Sequence, residues 1–204
     1  MDYIRTFQER LRASLNVKQR MLEDADVARS VAQAAELLLE CCRREDGTVF
    51  FAGNGGSSSD AQHLAGELVG RFYIDRPGLA ATALGVNPAV ATALGNDFAY
   101  EDAFARELDA LSRPDDLFVG LSTSGNSENI LRCLKLCQAK GIHTIGFTGG
   151  DGGKMRDLCD VLLVVPSDDT PRIQESHIVL GHVLCEIVEQ EMFGKKNIGQ
   201  DEQD

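Results

Sequence analysis

"AGNGGSSSDAQHLAGE", residues Ala52–Glu67, decides how the rest of the chain is read. It follows the apolar run Val49-Phe50-Phe51 and opens onto a helical pattern, the place where a strand end hands over to an anion-binding turn. It lacks the Gly-Lys-Ser/Thr ending of a P-loop. Counted from Gly53, the sixth position is Ser58, which fails the dinucleotide fingerprint. Such a turn suits a small anion held by backbone N–H groups rather than a nucleotide.

Outward from this stretch, short β-rich runs alternate with helical patterns. Strands are predicted at Val49–Phe51, Ala80–Leu84, Leu117–Leu121, Thr144–Thr148 and Val161–Val165. Helices are predicted at Asp60–Arg71, Pro88–Leu94, Tyr100–Leu111, Asn126–Lys140, briefly near Lys154, and over about Ile173–Phe193. This alternation predicts an α/β fold with a parallel five-stranded sheet covered on both faces. Two helices precede it. Ile4, Phe7, Leu11 and Leu15 form one apolar stripe, and Val27, Val31, Ala35, Leu38 and Cys42 another, each needing a partner surface. The expected organisation is residues 1–46 as N-terminal helices of the same domain, 47–194 as the α/β unit, and 195–204 as a frayed acidic tail.

The chain of 204 residues carries 20 Lys plus Arg against 32 Asp plus Glu, a net charge of −12. An acidic surface repels phosphate backbones and anionic lipid, so neither nucleic acid nor membrane is expected as a partner. The opening MDYIRTFQERLRAS has no apolar signal core, and no apolar run approaches membrane-spanning length. Cys41, Cys42, Cys133, Cys137, Cys159 and Cys185 show no C-x-x-C pairing and read as reduced thiols of a cytoplasmic protein.

A second loop, "STSGNSEN" (Ser122–Asn129), joins a strand end to a helix start as the first does. Unpaired N–H groups and the helix dipole favour an anion at both, and Ser122, Thr123, Ser124 and Ser127 could each add a hydroxyl. Neither loop has a lysine, which suits a sugar monophosphate better than a triphosphate with its metal. One such loop could be ordinary cap-and-turn chemistry; two at strand ends point to a ligand. His63 and Glu67 stand four apart on one helix face, a spacing that also occurs in plain surface pairs. The final helix adds Gln174, His177 and His182. His182, within "VLGHVLC", reads as facing away from solvent and therefore needs a partner.

The ordered set GNGGSSSDAQH-x3-E, Arg71-Phe72, GND (Gly95–Asp97), STSGNS, TGGDGGKM and RIQE-x6-H resembles the bacterial phosphoheptose isomerases of the sugar isomerase (SIS) family over roughly Met1–Phe193. The resemblance implies a three-layer αβα sandwich in a homotetramer, with N-terminal helices packed between subunits. It implies aldose–ketose isomerisation of sedoheptulose 7-phosphate to D-glycero-D-manno-heptose 7-phosphate through an enediol. That would be the first step toward ADP- or GDP-heptose for lipopolysaccharide or related glycans. Glu67 matches the catalytic base and His182 the second acid/base. The positions matching the sugar-phosphate contacts are Asn54, Gly55, Gly56, Glu67, Asn96, Asp97, Ser122, Thr123, Ser124, Ser127 and Gln174, with Arg71 a further candidate.

The resemblance also implies zinc, one per subunit, at His63, Glu67, Gln174 and His182. Gln174 and His182 are eight residues apart, about 12 Å along an unbroken helix. A shared ion needs both side chains to stretch, Gln174 to precede the regular helix, or ligands from two subunits; a site at a subunit interface is favoured. In "SDDTPRIQ", Pro171 stands where these enzymes commonly carry Asp, and Asp168 or Asp169 could substitute. The rival within the family is a DnaA initiator-associating binding protein, which lacks a carboxylate and a histidine at the positions of Glu67 and His182. This sequence keeps both.

Overall fold

The computed structural model describes residues 1–194; the expected acidic tail lies outside the described residues. Two long helices, α1 (Tyr3–Glu23) and α2 (Ala25–Arg43), lead into β1 (Val49–Gly53), α3 (Gly56–Val69), β2 (Ala81–Ala83) and α4 (Pro88–Asp97). After a 3₁₀ turn at Tyr100–Asp102 come α5 (Ala103–Leu111), β3 (Leu117–Leu121), α6 (Glu128–Lys140) and β4 (His143–Gly149). A 3₁₀ turn at Gly153–Asp157, β5 (Val161–Val165) and α7 (Thr170–Phe193) complete the fold. All five strands are parallel in the order β2-β1-β3-β4-β5, and helices cover both faces.

The continuous apolar runs follow from this two-sided burial. Val49 and Phe51 face α2, α3 and α7, while Phe50 and Ala52 face α5 and α6. Leu117, Val119 and Leu121 likewise oppose Phe118 across the sheet. From β1 the chain first moves to one neighbour, β2, and then to the other, β3. That reversal makes the β1/β3 boundary the topological switch point, where ligands collect beyond the strand ends of open α/β sheets. The six cysteines are free, as expected of reduced thiols.

The expected elements are all present, but the first glycine turn is shorter than its composition suggests. α3 begins at Gly56, four residues before the predicted start at Asp60, so Ser57, Ser58 and Ser59 form its first turn. Their N–H groups reach Asn54 and Gly55 carbonyls, which compensates for the poor helix propensity of glycine and serine. The connection proper is Asn54–Gly55, where Gly55 takes φ +56°.

Histidine placement in α7 differs from the expectation. His177 is the fully buried one, while His182 is half-buried and turned toward α3. The Nε2 of His177 lies 3.2 Å from the Thr148 carbonyl, which only accepts, so Nε2 carries the proton; Nδ1 is buried with no partner. Burial pushes the His177 pKa down to about 4, against a smaller upward pull from the Thr148 hydrogen bond.

Between the ordinary histidine value of 6.5 and about 4, the unfolded chain therefore binds a proton that the folded one refuses. Stability contributed by neutral His177 is full above that window and falls as pH drops through it, by about 3 kcal/mol. Urea unfolding at stepwise pH should show this loss in the wild type and a flatter profile in His177→Gln.

Candidate active site

α3 and α7 run side by side in the same direction, with Gln174 against Gly56 at one end and His182 against His63 further along. Gly181 makes this approach possible: a Cβ there would stand 2.5 Å from Leu64 Cδ2. A glycine inside an apolar helical pattern signals such close packing, so this residue was findable from the sequence.

The close approach brings three ligand-type side chains together. His63 Nε2 lies 3.0 Å from Glu67 Oε1 and 2.9 Å from His182 Nε2. One nitrogen cannot satisfy both neighbours. If His63 donates from Nε2 to Glu67, it has no lone pair for His182; if it accepts from His182, a lone pair faces the carboxylate. A cation between the three removes the conflict, and their ligand atoms all lie within 4.8 Å of one another. The donor set, two imidazoles and a carboxylate, suits zinc. The second oxygen of Glu67 makes no hydrogen bond within the chain among the described residues. One turn earlier, burial raises the Asp60 carboxyl above its ordinary range, partly offset by His63.

Gln174 does not join this group through its own helix. It lies inside α7, and its side-chain amide packs on Gly56, the nitrogen 2.6 Å from where a Gly56 Cβ would be. Arg71 follows the C-terminus of α3, a helix of 14 residues, and is thus about 20 Å along the axis from the glycine turn.

The second loop lies beside the first, because β1 and β3 pair up to Gly53 and Leu121. Ser122 and Ser127 bond each other at 2.8 Å, and Gly125, at φ +65°, packs against the Gly152 carbonyl with no room for a side chain. Thr123 and Ser124 face a cavity of about 380 Å³ whose far walls include Gly150, Asp168 and Thr170. His63, Glu67 and His182 do not line it. Pro171 lies in the first turn of α7 and Asp169 is that helix's N-cap; of the two candidates to replace the Asp common at that position, Asp168 reaches the cavity, where Asp151 is a second carboxylate. Asn96 and Asp97 end α4, where Asn96 donates to Asp97 and neither bonds the two loops.

Asn129 and Tyr100, which nothing in the sequence singles out, also reach the first loop. Asn129 is buried at the start of α6 and exchanges two hydrogen bonds with Asn54, of 2.8 and 3.0 Å; the Tyr100 hydroxyl donates to Asn54 Oδ1 at 2.6 Å. Neither carries a local signal, because each works through a partner distant in sequence.

The chain belongs to the SIS family, whose domain model (SIS domain) matches residues 11–149. Within that family its relatives are phosphoheptose isomerases. The chain is 48% identical over 195 residues to the phosphoheptose isomerase of Aneurinibacillus thermoaerophilus, covering 96% of each chain. It is 50% identical over 176 residues to that of Burkholderia pseudomallei, covering 86% of this chain and 89% of the relative. The solved structure of a phosphoheptose isomerase from Francisella tularensis superposes with a TM-score of 0.88 at 34% identity, covering 93% of this chain and all (100%) of that one.

If the His63–His182 approach depends on Gly181, Gly181→Ala should push α7 off Leu64. The overpacking should cost about 1–3 kcal/mol in thermal or urea unfolding. Bound-metal content should fall with it, even where the variant remains folded.

Proposed function

We propose that the protein is an aldose–ketose isomerase that converts sedoheptulose 7-phosphate to D-glycero-D-manno-heptose 7-phosphate, supplying heptose for nucleotide-activated precursors of surface glycans. The observation that carries this reading is the convergence of His63, Glu67 and His182 in a chain 48% identical to a phosphoheptose isomerase over nearly its whole length. Retention of Glu67 and His182 favours the isomerase over a non-catalytic binding protein of the same family.

Moving a carbonyl from C2 to C1 requires a base for a carbon-bound proton and a group that serves the oxygens. Glu67 is the base: its carboxylate takes a proton from C1 while the C2 oxygen gains one, giving the enediol. The proton then returns to C2 as the C1 hydroxyl loses its own, so nothing is consumed. His182, on the facing helix, carries protons between the two oxygens. His63 and Glu67 on α3 and His182 on α7 would hold zinc, about one per chain, with Gln174 as a further ligand at a site favoured to lie at a subunit interface. Zinc, when bound, would polarise the substrate oxygens and steady the charge that develops on them.

The phosphate is held by neutral donors: the backbone of Asn54, Gly55 and Gly56, and the hydroxyls of Ser122, Thr123, Ser124 and Ser127. The N-termini of α3 and α6 supply the electrostatic attraction. Asn96 and Asp97 take sugar hydroxyls. Residues 1–46 serve as the assembly arm of the 47–194 unit in a homotetramer. In favour of this, Ile4, Phe7, Leu11 and Leu15 form an exposed apolar stripe on α1 that no part of the described chain covers. The enzyme works in the cytoplasm; no helix among the described residues is long and apolar enough to cross a membrane.

Glu67→Gln keeps the shape of the side chain and removes the proton acceptor. Turnover of sedoheptulose 7-phosphate, followed by appearance of the aldose, should fall at least about a hundredfold, with the oligomer unchanged. Near wild-type turnover would remove Glu67 from the role of base. His63→Ala tests the metal separately, because His63 moves no proton in this scheme. Loss of bound zinc together with activity is the expected result; full activity without metal would leave Glu67 and His182 to work unaided.

A further inference from the structure

Resting on the reading that the two loops hold one phosphate, we propose that Asn129 and Tyr100 are positioning residues that lock the loops together through Asn54. The β1/β3 boundary is where the sheet's connections diverge, so the covalent chain does nothing to hold the two loops at a fixed spacing. The strands beneath end in register, but beyond Gly53 and Leu121 no backbone ladder continues.

The asparagine pair spans this gap. Asn54 Nδ2 donates to Asn129 Oδ1 at 3.0 Å, and Asn129 Nδ2 donates to Asn54 Oδ1 at 2.8 Å, closing a cyclic amide pair. Asn129 Oδ1 also accepts from the Ile130 N–H at 3.0 Å, which fixes the amide relative to the first turn of α6. Asn129 is 3% exposed. An amide so buried is tolerable only when paired, and the cyclic pair permits one mutual orientation of the loops. On the other side of Asn54, the Tyr100 hydroxyl donates to the same Oδ1 at 2.6 Å. Tyr100 begins the 3₁₀ turn three residues beyond Asp97, so its bond is also the link between the Asn96–Asp97 segment and the glycine turn.

Donors on both loops are thus set to one anion before it arrives, and the ordering cost is met in folding rather than in binding. A carboxylate at position 129 would not reproduce the pair, since it cannot donate to Asn54 Oδ1.

The test measures the affinity of the full-length chain for inorganic phosphate by calorimetric titration, together with KM and kcat for sedoheptulose 7-phosphate. Tyr100→Phe removes only the hydroxyl of an exposed side chain, so it keeps the test open even if Asn129→Ala proves unstable. Each variant should weaken phosphate binding about tenfold and raise KM in parallel, with kcat within about twofold because Glu67 and His182 are untouched. Both act through Asn54 Oδ1, so the double variant should lose much less than the product of the two. Unchanged phosphate affinity and KM in Tyr100→Phe, or fully multiplicative losses, would overturn the proposal, as would a wild-type chain that binds no phosphate. Phosphate binding that responds as expected in a chain without isomerase turnover would support the lock and sink the assigned reaction instead.

Discussion

The buried ion pair between Arg76 and Glu189 holds the working half of this molecule in place. Glu189 is fully buried in α7, 113 residues from Arg76. Its carboxylate accepts from the N–H groups of Phe72, Tyr73 and Ile74 at 2.8, 2.5 and 2.8 Å, and from Arg76 Nε at 3.0 Å. Arg76 spends its remaining protons on the carbonyls of Glu67, Leu68, Gly70 and Pro77. Burial alone would raise the Glu189 carboxyl; these donors outweigh it and bring the pKa below the ordinary glutamate value. Two of the carbonyls in the last turn of α3, those of Glu67 and Leu68, are thereby satisfied, and that end of α3 is fastened to α7. A buried pair adds little net stability over an apolar one, but removing one partner strands the other, at about 3–5 kcal/mol.

Three contacts then fix the two helices relative to each other: Gln174 on Gly56, Leu64 on Gly181, and the Arg76–Glu189 clamp. His63 and Glu67 project from one helix and His182 from the other, so their convergence is a consequence of this packing rather than of any loop. That is the arrangement a catalytic group requires, because a shift of about 1 Å in the reacting geometry is costly. The anion half is built differently. In the proposed reading it uses loops and helix N-termini at the switch point, with hydroxyls and N–H groups and no lysine, by which a chain of net charge −12 would attract a phosphate locally while repelling polyanions.

How much of this was readable beforehand divides along physical lines. Strands buried on both faces advertise themselves as apolar runs, and all five lie within a residue or two of where the sequence puts them; β2, a short edge strand, is one residue shorter at each end. The stripe on α2 and the i,i+4 pair His63–Glu67 follow from helix period alone. Pairings between distant elements left no local trace. Arg71 and Arg76 look alike in the sequence, yet one is exposed and the other buried at 2% side-chain exposure, because only Arg76 meets Glu189. The sequence reads His182 as the histidine turned from solvent, yet His177 is the fully buried one: both lie in an apolar helix, and only the direction of α3 decides which faces the site.

The proposed function asks Glu67 of the three-residue cluster to do two things, hold a cation and accept a proton. Its geometry separates them. Oε1 is the oxygen directed at His63, while the other oxygen bonds nothing within the described chain. A carboxylate anchored through one oxygen keeps a basic lone pair on the second, and anchoring restricts its rotation. His63 sits between Glu67 and His182 and cannot satisfy both when it is neutral and alone. The electrostatic conflict at His63 is therefore one that a cation between the three side chains would relieve. It also explains why a helix pair packed tightly enough to need a glycine is used to force these groups together.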